Sequence, residues 1–507
     1  MRNSILFFAA LMIAVATVIF WRDGTTDDQS DPLPAGRTDI VVGMQLEPPV
    51  LDPTINPAAA IAQVTHLNVF EGLTRIDEFG AVLPGLARAW EVSDDGLTYT
   101  FHLLEGVTFS DGTTFGSDDV AFTFSRNAEP DSTNSRKAYF TQMTDIATPD
   151  PATVIITLAE PSGLFLFNMA EAQSVIVAPE TAAGNATAPV GTGPFSFDRW
   201  VPGDSVALVR NPLYRDTDAV ALDRVVFRFV NDAAAQITAL LAGDVDVFPR
   251  MSALESVGQF QADDRFQVLV GNTEGETILA MNNARAPLDN LVVRQAISHA
   301  IDRQAIIDGA EFGFGVPIGT HFAPHHPAYV DLTDQYAFDP DRARALLADA
   351  GFADGLDLTL QLPPVNYARR GGEIIASQLA QVGIRVEIIP VEWATWLEVV
   401  YAEANYDLSI VSHVEPLDIS IYADPDYYFQ YDSPEFRAIM AAANRATDTD
   451  DQYSQWRAAQ HMLTDNAVNV YLFELAKVGV AKVGINGLWQ NWPMFINDMA
   501  AVSWTND

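Results

Sequence analysis

Hydrophobic residues recur along this chain with two spacings, one near two and one near three and a half, and the changes between them mark out its elements. Residues 39–45 form a short apolar run that reads as a strand, and Pro48, Pro49 and Pro53 forbid regular structure just after it. Residues 58–70 have helical spacing. In 96–104, Leu97, Tyr99, Phe101 and Leu103 alternate with polar positions, and Asp111-Gly112 soon afterwards marks a tight turn, so a strand pair is expected there. Asp232 can cap a helix over 233–242 that Gly243 ends, with a strand at 245–248. Val293, Ala296, Ile297, Ala300 and Ile301 share one face of another helix.

The clearest pattern lies in 355–411. Leu356, Leu358, Leu360 and Leu362 alternate as a strand, and Ile374, Ile375, Leu379 and Val382 line one side of a helix stopped by Gly383. A second strand at 384–389, a helix at 394–404 and a third strand at 406–411 complete a β-α-β-α-β unit. That order predicts a parallel sheet with right-handed crossovers. Ligands at such sheets gather beyond the carboxyl ends of the strands, so the residues following Leu362, Ile389 and Val411 are the places to look.

At the N-terminus, Arg2 precedes an uncharged apolar stretch that ends at Trp21. A positive start before an apolar run is an export signal. Ala14-Val15-Ala16 offers a cleavage site, while an uncleaved anchor holding the rest outside the cytoplasm is the alternative. Residues 1–24 are therefore assigned to the signal and 25–38 to a polar linker. With 507 residues the chain is too long for one core, so two or three domains are expected.

Charge narrows the partners. Against 28 Lys and Arg stand 67 Asp and Glu, a net charge of −39. Phosphate recognition draws on clustered cations, so this balance excludes nucleic acid and makes an anionic membrane surface a poor docking site. There is no cysteine, hence no disulfide, no thiolate metal site, no cysteine nucleophile and no lipid-modified N-terminal cysteine.

Several ordered segments carry a resemblance. Val69-Phe70-Glu71-Gly72-Leu73-Thr74-Arg75, Leu83-Pro84-Gly85-Leu86-Ala87, the run from Trp90 to Phe101, Val107-Thr108-Phe109-Ser110-Asp111-Gly112, Gly191-Thr192-Gly193-Pro194-Phe195, Asn211-Pro212-Leu213-Tyr214 and Arg294-Gln295-Ala296-Ile297 follow one another as in the family 5 extracellular solute-binding proteins. The chain resembles these dipeptide-, oligopeptide- and nickel-binding components of ABC importers from Asp39 onward. The resemblance implies an α/β fold of the periplasmic-binding-protein type: two lobes closing like a Venus flytrap, with an extra α+β domain inserted in the first lobe. On this sequence, lobe I comprises 39–77, 189–276 and 478–507, the inserted domain 78–188 and lobe II 277–477. It further implies a periplasmic monomer that captures a peptide or peptide-like solute, delivers it to inner-membrane permease subunits, and uses no cofactor.

In peptide-binding relatives an acidic residue shortly after the strand matching 406–411 holds the ligand's amino group. By that resemblance Glu415 is the first candidate and Asp418 the second, with His413 beside them. Arg369 and Arg370, in the loop beyond the first strand of the unit, are candidates for the ligand carboxylate. Trp393, Trp396, Tyr422, Tyr427 and Tyr428 supply aromatic surface at the same end of the sheet. The arginine that some dipeptide binders use slightly upstream is replaced around Pro363-Pro364, which argues against simple dipeptides; opines, nickel chelates and oligosaccharides are the other ligand classes.

His321, His325 and His326 crowd one loop, a set that suits nickel or zinc. The loop brings no carboxylate near them, and Pro324 and Pro327 oppose helical geometry, so surface or packing histidines are expected and no metal is assigned. Hydrolase and nucleotide motifs such as G-x-S-x-G, H-E-x-x-H and G-x-x-x-x-G-K-[ST] are missing, so no catalysis is expected.

Overall fold

The computed structural model describes residues 36–505. The expected signal segment 1–24 lies outside the described residues.

Strand β1 (Asp39–Met44) starts the main sheet, and β2 (Thr74–Ile76) with β3 (Val82–Pro84) forms a small hairpin. Four strands then build a separate antiparallel sheet: β4 (Ala87–Val92), β5 (Thr98–Leu103), β6 (Met143–Asp150) and β7 (Thr153–Leu158), in the order β4-β5-β7-β6. On its inner face Phe101, Leu103, Val154 and Ile156 pack against Phe124 and Val120 of the helix Ser117–Ala128. The expected hairpin through Asp111-Gly112 does not form. Thr108 and Thr114 make a single bridge there, while β5 takes its partners from β4 and β7.

The main sheet resumes with β8 (Phe195–Val201), β9 (Ser205–Arg210), β10 (Arg224–Phe229), β11 (Val247–Phe248), β12 (Phe266–Met281), β13 (Gly315–Pro317), β14 (Leu356–Leu362), β15 (Ile384–Pro390), β16 (Leu408–His413) and β17 (Val470–Lys482). It runs β15-β14-β16-β12-β17-β11-β1-β10-β9-β8, with β13 on β17. Buried Asp246 ties three of these elements together. It accepts from Arg37 and Lys482, both as ion pairs, and from the Val41 amide.

The long strands β12 and β17 hold the two halves of this sheet together. The first part of β12 pairs with the end of β17, and its last part with both the beginning of β17 and β16. Between the two parts the register shifts, from Asn272 to Glu276 and again from Thr277 to Ile278. A bulge of this kind bends a strand and increases its twist.

The β-α-β-α-β unit forms as expected. β14 pairs in parallel with β15 and with β16, and the helix Asn366–Gln381 crosses between the first two strands. Gly383 takes φ +91, which only glycine adopts freely, at the turn into β15. Two details differ. The second helix is a short turn, Trp393–Thr395, continued by a wider π-helical segment, Trp396–Ala402. Strand β16 extends to His413, so Ser412 and His413 belong to the strand rather than to the loop beyond it.

The helix Ala233–Ala242 has Asp232 accepting from the Ala235 amide and ends at Gly243 with φ +82, as its sequence predicts. The helix expected over 58–70 is shorter, Ala59–Thr65, because Leu67 turns to φ +61. The motif that follows explains several glycines. A Cβ on Gly191 would overlap the Val69 carbonyl oxygen, and one on Gly72 would strike the Met169 carbonyl. Thr192 and Arg215 both bond the Glu71 carboxylate, so these recurring segments lock to one another through packing.

Candidate ligand-binding recess

A recess of about 400 Å³ opens where segments distant in sequence converge. Its walls include Ala59, Ala62 and His66, then Arg136 and Glu171, Arg250, Thr273 to Gly275, Val414 to Pro416, and Trp492 to Ile496. Both its size and its mainly apolar wall with a few charges suit a small organic ligand.

Charge is concentrated along one side. Arg136 lies between two carboxylates, with Nε 3.0 Å from Glu171 and Nη2 2.6 Å from Glu415. The Tyr139 hydroxyl donates to the other oxygen of Glu171 at 2.8 Å. Burial raises the Glu171 pKa above its ordinary value even though Arg136 and Tyr139 both favour its charged form. Arg250 stands apart: among the described residues no carboxylate pairs with it. Its guanidinium is open to solvent, yet the protein crowded around it lowers its pKa from the usual arginine value. His66, fully buried on the wall, is pushed down to about 3 by desolvation and is neutral at physiological pH. Glu274 is buried at the floor, its pKa raised by burial, 2.8 Å from His325 Nε2.

Of the residues expected to contact ligand, only Glu415 lines this recess. Asp418 points the other way, into the core between His321 and His413, and burial together with those two partners occupies both its oxygens. That disposition opposes the role assigned to it. Arg369 donates to the carbonyls of Pro363 and Val391 at 2.9 Å each, fastening the ends of β14 and β15, so its guanidinium serves the loop. Arg370 lies over the Phe312 ring at 5.1 Å, away from the recess.

The aromatic residues form a packed cluster instead of a wall. Trp396 is buried with Nε1 donating to Ser409, and Trp393 meets it edge-on at 5.6 Å with its own outer face exposed. Tyr428 is buried against Trp396, Tyr406 and Tyr427. The Tyr422 hydroxyl accepts from Asn469, and the Tyr428 hydroxyl meets His413. The extension of β16 by two residues explains this outcome, since it draws His413 into the sheet and sends the following segment inward at Asp418.

The crowded histidines also part company. His321 turns to Asp418, His325 to Glu274, and His326 packs among Phe322, Tyr453 and Trp456. Arg136, Glu171, Arg250 and the segment around Trp492 were not singled out from sequence. Their approach depends on the assembly of distant segments, and only the aromatic density near Trp489 and Trp492 offered any local signal.

The description of the bacterial extracellular solute-binding proteins, family 5, middle region, matches residues 81–437. The chain belongs to this family. Its α/β fold is accordingly the two-lobe fold of that family. A di/tripeptide-binding protein of Pseudomonas aeruginosa is 30% identical over 442 residues, which cover 78% of this chain and 81% of that protein. The unliganded open form of MppA, a periplasmic murein tripeptide-binding protein, superposes with a TM-score of 0.85 at 21% identity, over 93% of this chain and 98% of the other. A dipeptide-binding protein of Pseudoalteromonas in complex with Met-Leu gives 0.68 at 24% identity, over 92% of this chain and all of the other. Family 5 members are solute-binding components of importers, and they act outside the cytoplasm. Among the described residues no helix is long and apolar enough to cross a membrane.

Proposed function

We propose that this chain captures a short peptide or peptide-like solute in the recess beside Arg136 and Arg250, closes over it, and hands it to the permease of an ABC importer without altering it chemically. The observation that carries this reading is the mixed-charge recess itself. A peptide with free ends is a zwitterion, and the recess offers Glu415 at one place and the unpaired Arg250 at another. The ammonium competes with Arg136 for Glu415, while the carboxylate meets Arg250 in a charge-assisted contact. On the proposed division into lobe I, inserted domain and lobe II, all three parts supply recess residues: His66 and Arg250 from the first, Arg136 and Glu171 from the second, Glu415 from the third. A ligand touching all three favours the closed arrangement. The better superposition on an unliganded open relative than on a dipeptide complex supports an open resting state. The chain acts as a monomer in the periplasm, freed from or held by its N-terminal segment.

Calorimetric titration with di- and tripeptides, intact or with blocked ends, tests the assignment. Glu415→Gln and Arg250→Gln should each weaken an intact peptide about 10- to 100-fold, the cost of one charged hydrogen bond. Glu415→Gln should matter little for an N-acetylated peptide. Unchanged affinity in both variants, or turnover of the peptide, overturns the proposal.

A further inference from the structure

We propose that His321, His413 and Asp418 form a binding site for one divalent transition-metal ion of the class that favours imidazole, in the core beside the solute recess. The site goes beyond solute capture and does not depend on it. His321 Nε2 lies 2.7 Å from Asp418 Oδ1, and His413 Nδ1 lies 3.2 Å from Asp418 Oδ2. All three ligand atoms fall within 4.8 Å of one another. Ligands at about 2.0 to 2.2 Å around a tetrahedral ion stand roughly 3.3 Å apart, so small side-chain adjustments admit the ion. Two imidazoles and a carboxylate are a donor set suited to zinc and its neighbours.

The surroundings have the features a metal site needs. Each imidazole has its far nitrogen against a tyrosine hydroxyl, His321 Nδ1 with Tyr422 at 3.2 Å and His413 Nε2 with Tyr428 at 3.0 Å. Such outer partners fix ring orientation at metal centres. Glu276, nine-tenths or more buried, lines the same small cavity as His321 and Asp418, and its Oε2 has no hydrogen-bond partner. Without metal, the ring N–H groups facing Asp418 donate to it. With metal, each imidazole carries its proton on the nitrogen facing tyrosine, whose oxygen then accepts. No net proton is needed from either ring.

The protein stripped with chelator and titrated with Zn²⁺ should bind one equivalent per chain and melt at a higher temperature. Co²⁺ should give the visible absorption of a low-coordinate nitrogen and oxygen site. Tyr428→Phe, which keeps the packing, should weaken Zn²⁺ roughly 10-fold through loss of the outer partner, and His413→Gln should abolish the Co²⁺ spectrum. His461→Ala, at an exposed position, should change neither. If His413→Gln does not fold, Asp418→Asn replaces it in the same assay. Failure of the wild-type chain to bind Zn²⁺ at one equivalent, or binding that survives Tyr428→Phe and the folded ligand variant unchanged, overturns the proposal.

Discussion

Glu276 and Glu474 face each other across the β12 and β17 ladder, both buried, and each retains an oxygen without a partner. Burial and then the neighbouring carboxylates raise both pKa values well above the ordinary 4.5, so the folded chain keeps protons that the unfolded chain releases. The sign follows from linkage. The stability these groups contribute is complete below about pH 4.5 and is lost as pH rises toward their folded pKa values, at about 1.4 kcal/mol per pH unit for each group. Glu474→Gln should therefore flatten the decline of melting temperature as pH rises above about 4.5. A variant whose decline matches the wild type would show that Glu474 is already charged in the folded protein. The sequence shows these residues only as two among many acids, because their pairing requires strands nearly two hundred positions apart.

At the scale of elements, local chemistry was legible wherever it was self-contained. The Asp232 cap, the Gly243 stop and the alternating leucines of β14 each determine their structure within a few residues, and the structure reproduces them. Replacing Asp232 by Ala should cost about 1 kcal/mol in urea unfolding, and by Asn almost nothing, since Asn also caps. Equal losses from the two changes would mean that charge rather than the hydrogen bond to Ala235 supports the helix. Legibility failed where tertiary partners decided. The alternation of 96–104 identifies β5 but not its neighbours, and because Ser412 and His413 look polar the sequence ends β16 two residues early. That small slip carried the candidate site with it: Glu415 remained at the recess, while Asp418 and the tyrosines turned into the core.

For the whole molecule, ordered motifs pointed to the family and its fold, since they record packing such as Gly191 against Val69. They could not disclose the recess, which many segments far apart in sequence build. If capture works by closure, small-angle scattering should show a smaller radius of gyration when peptide is added. At a hundredfold excess over Kd the ligand should add about 2.7 kcal/mol of stability. Tight binding with an unchanged scattering profile would argue for a rigid receptor. The continuity of β12 and β17 has a practical consequence for anyone who wishes to build a two-piece sensor from this scaffold. Each of those strands is shared property, so severing the polypeptide midway along either leaves fragments with raw borders that invite sticking to one another. A split reporter is better cut on an outer loop.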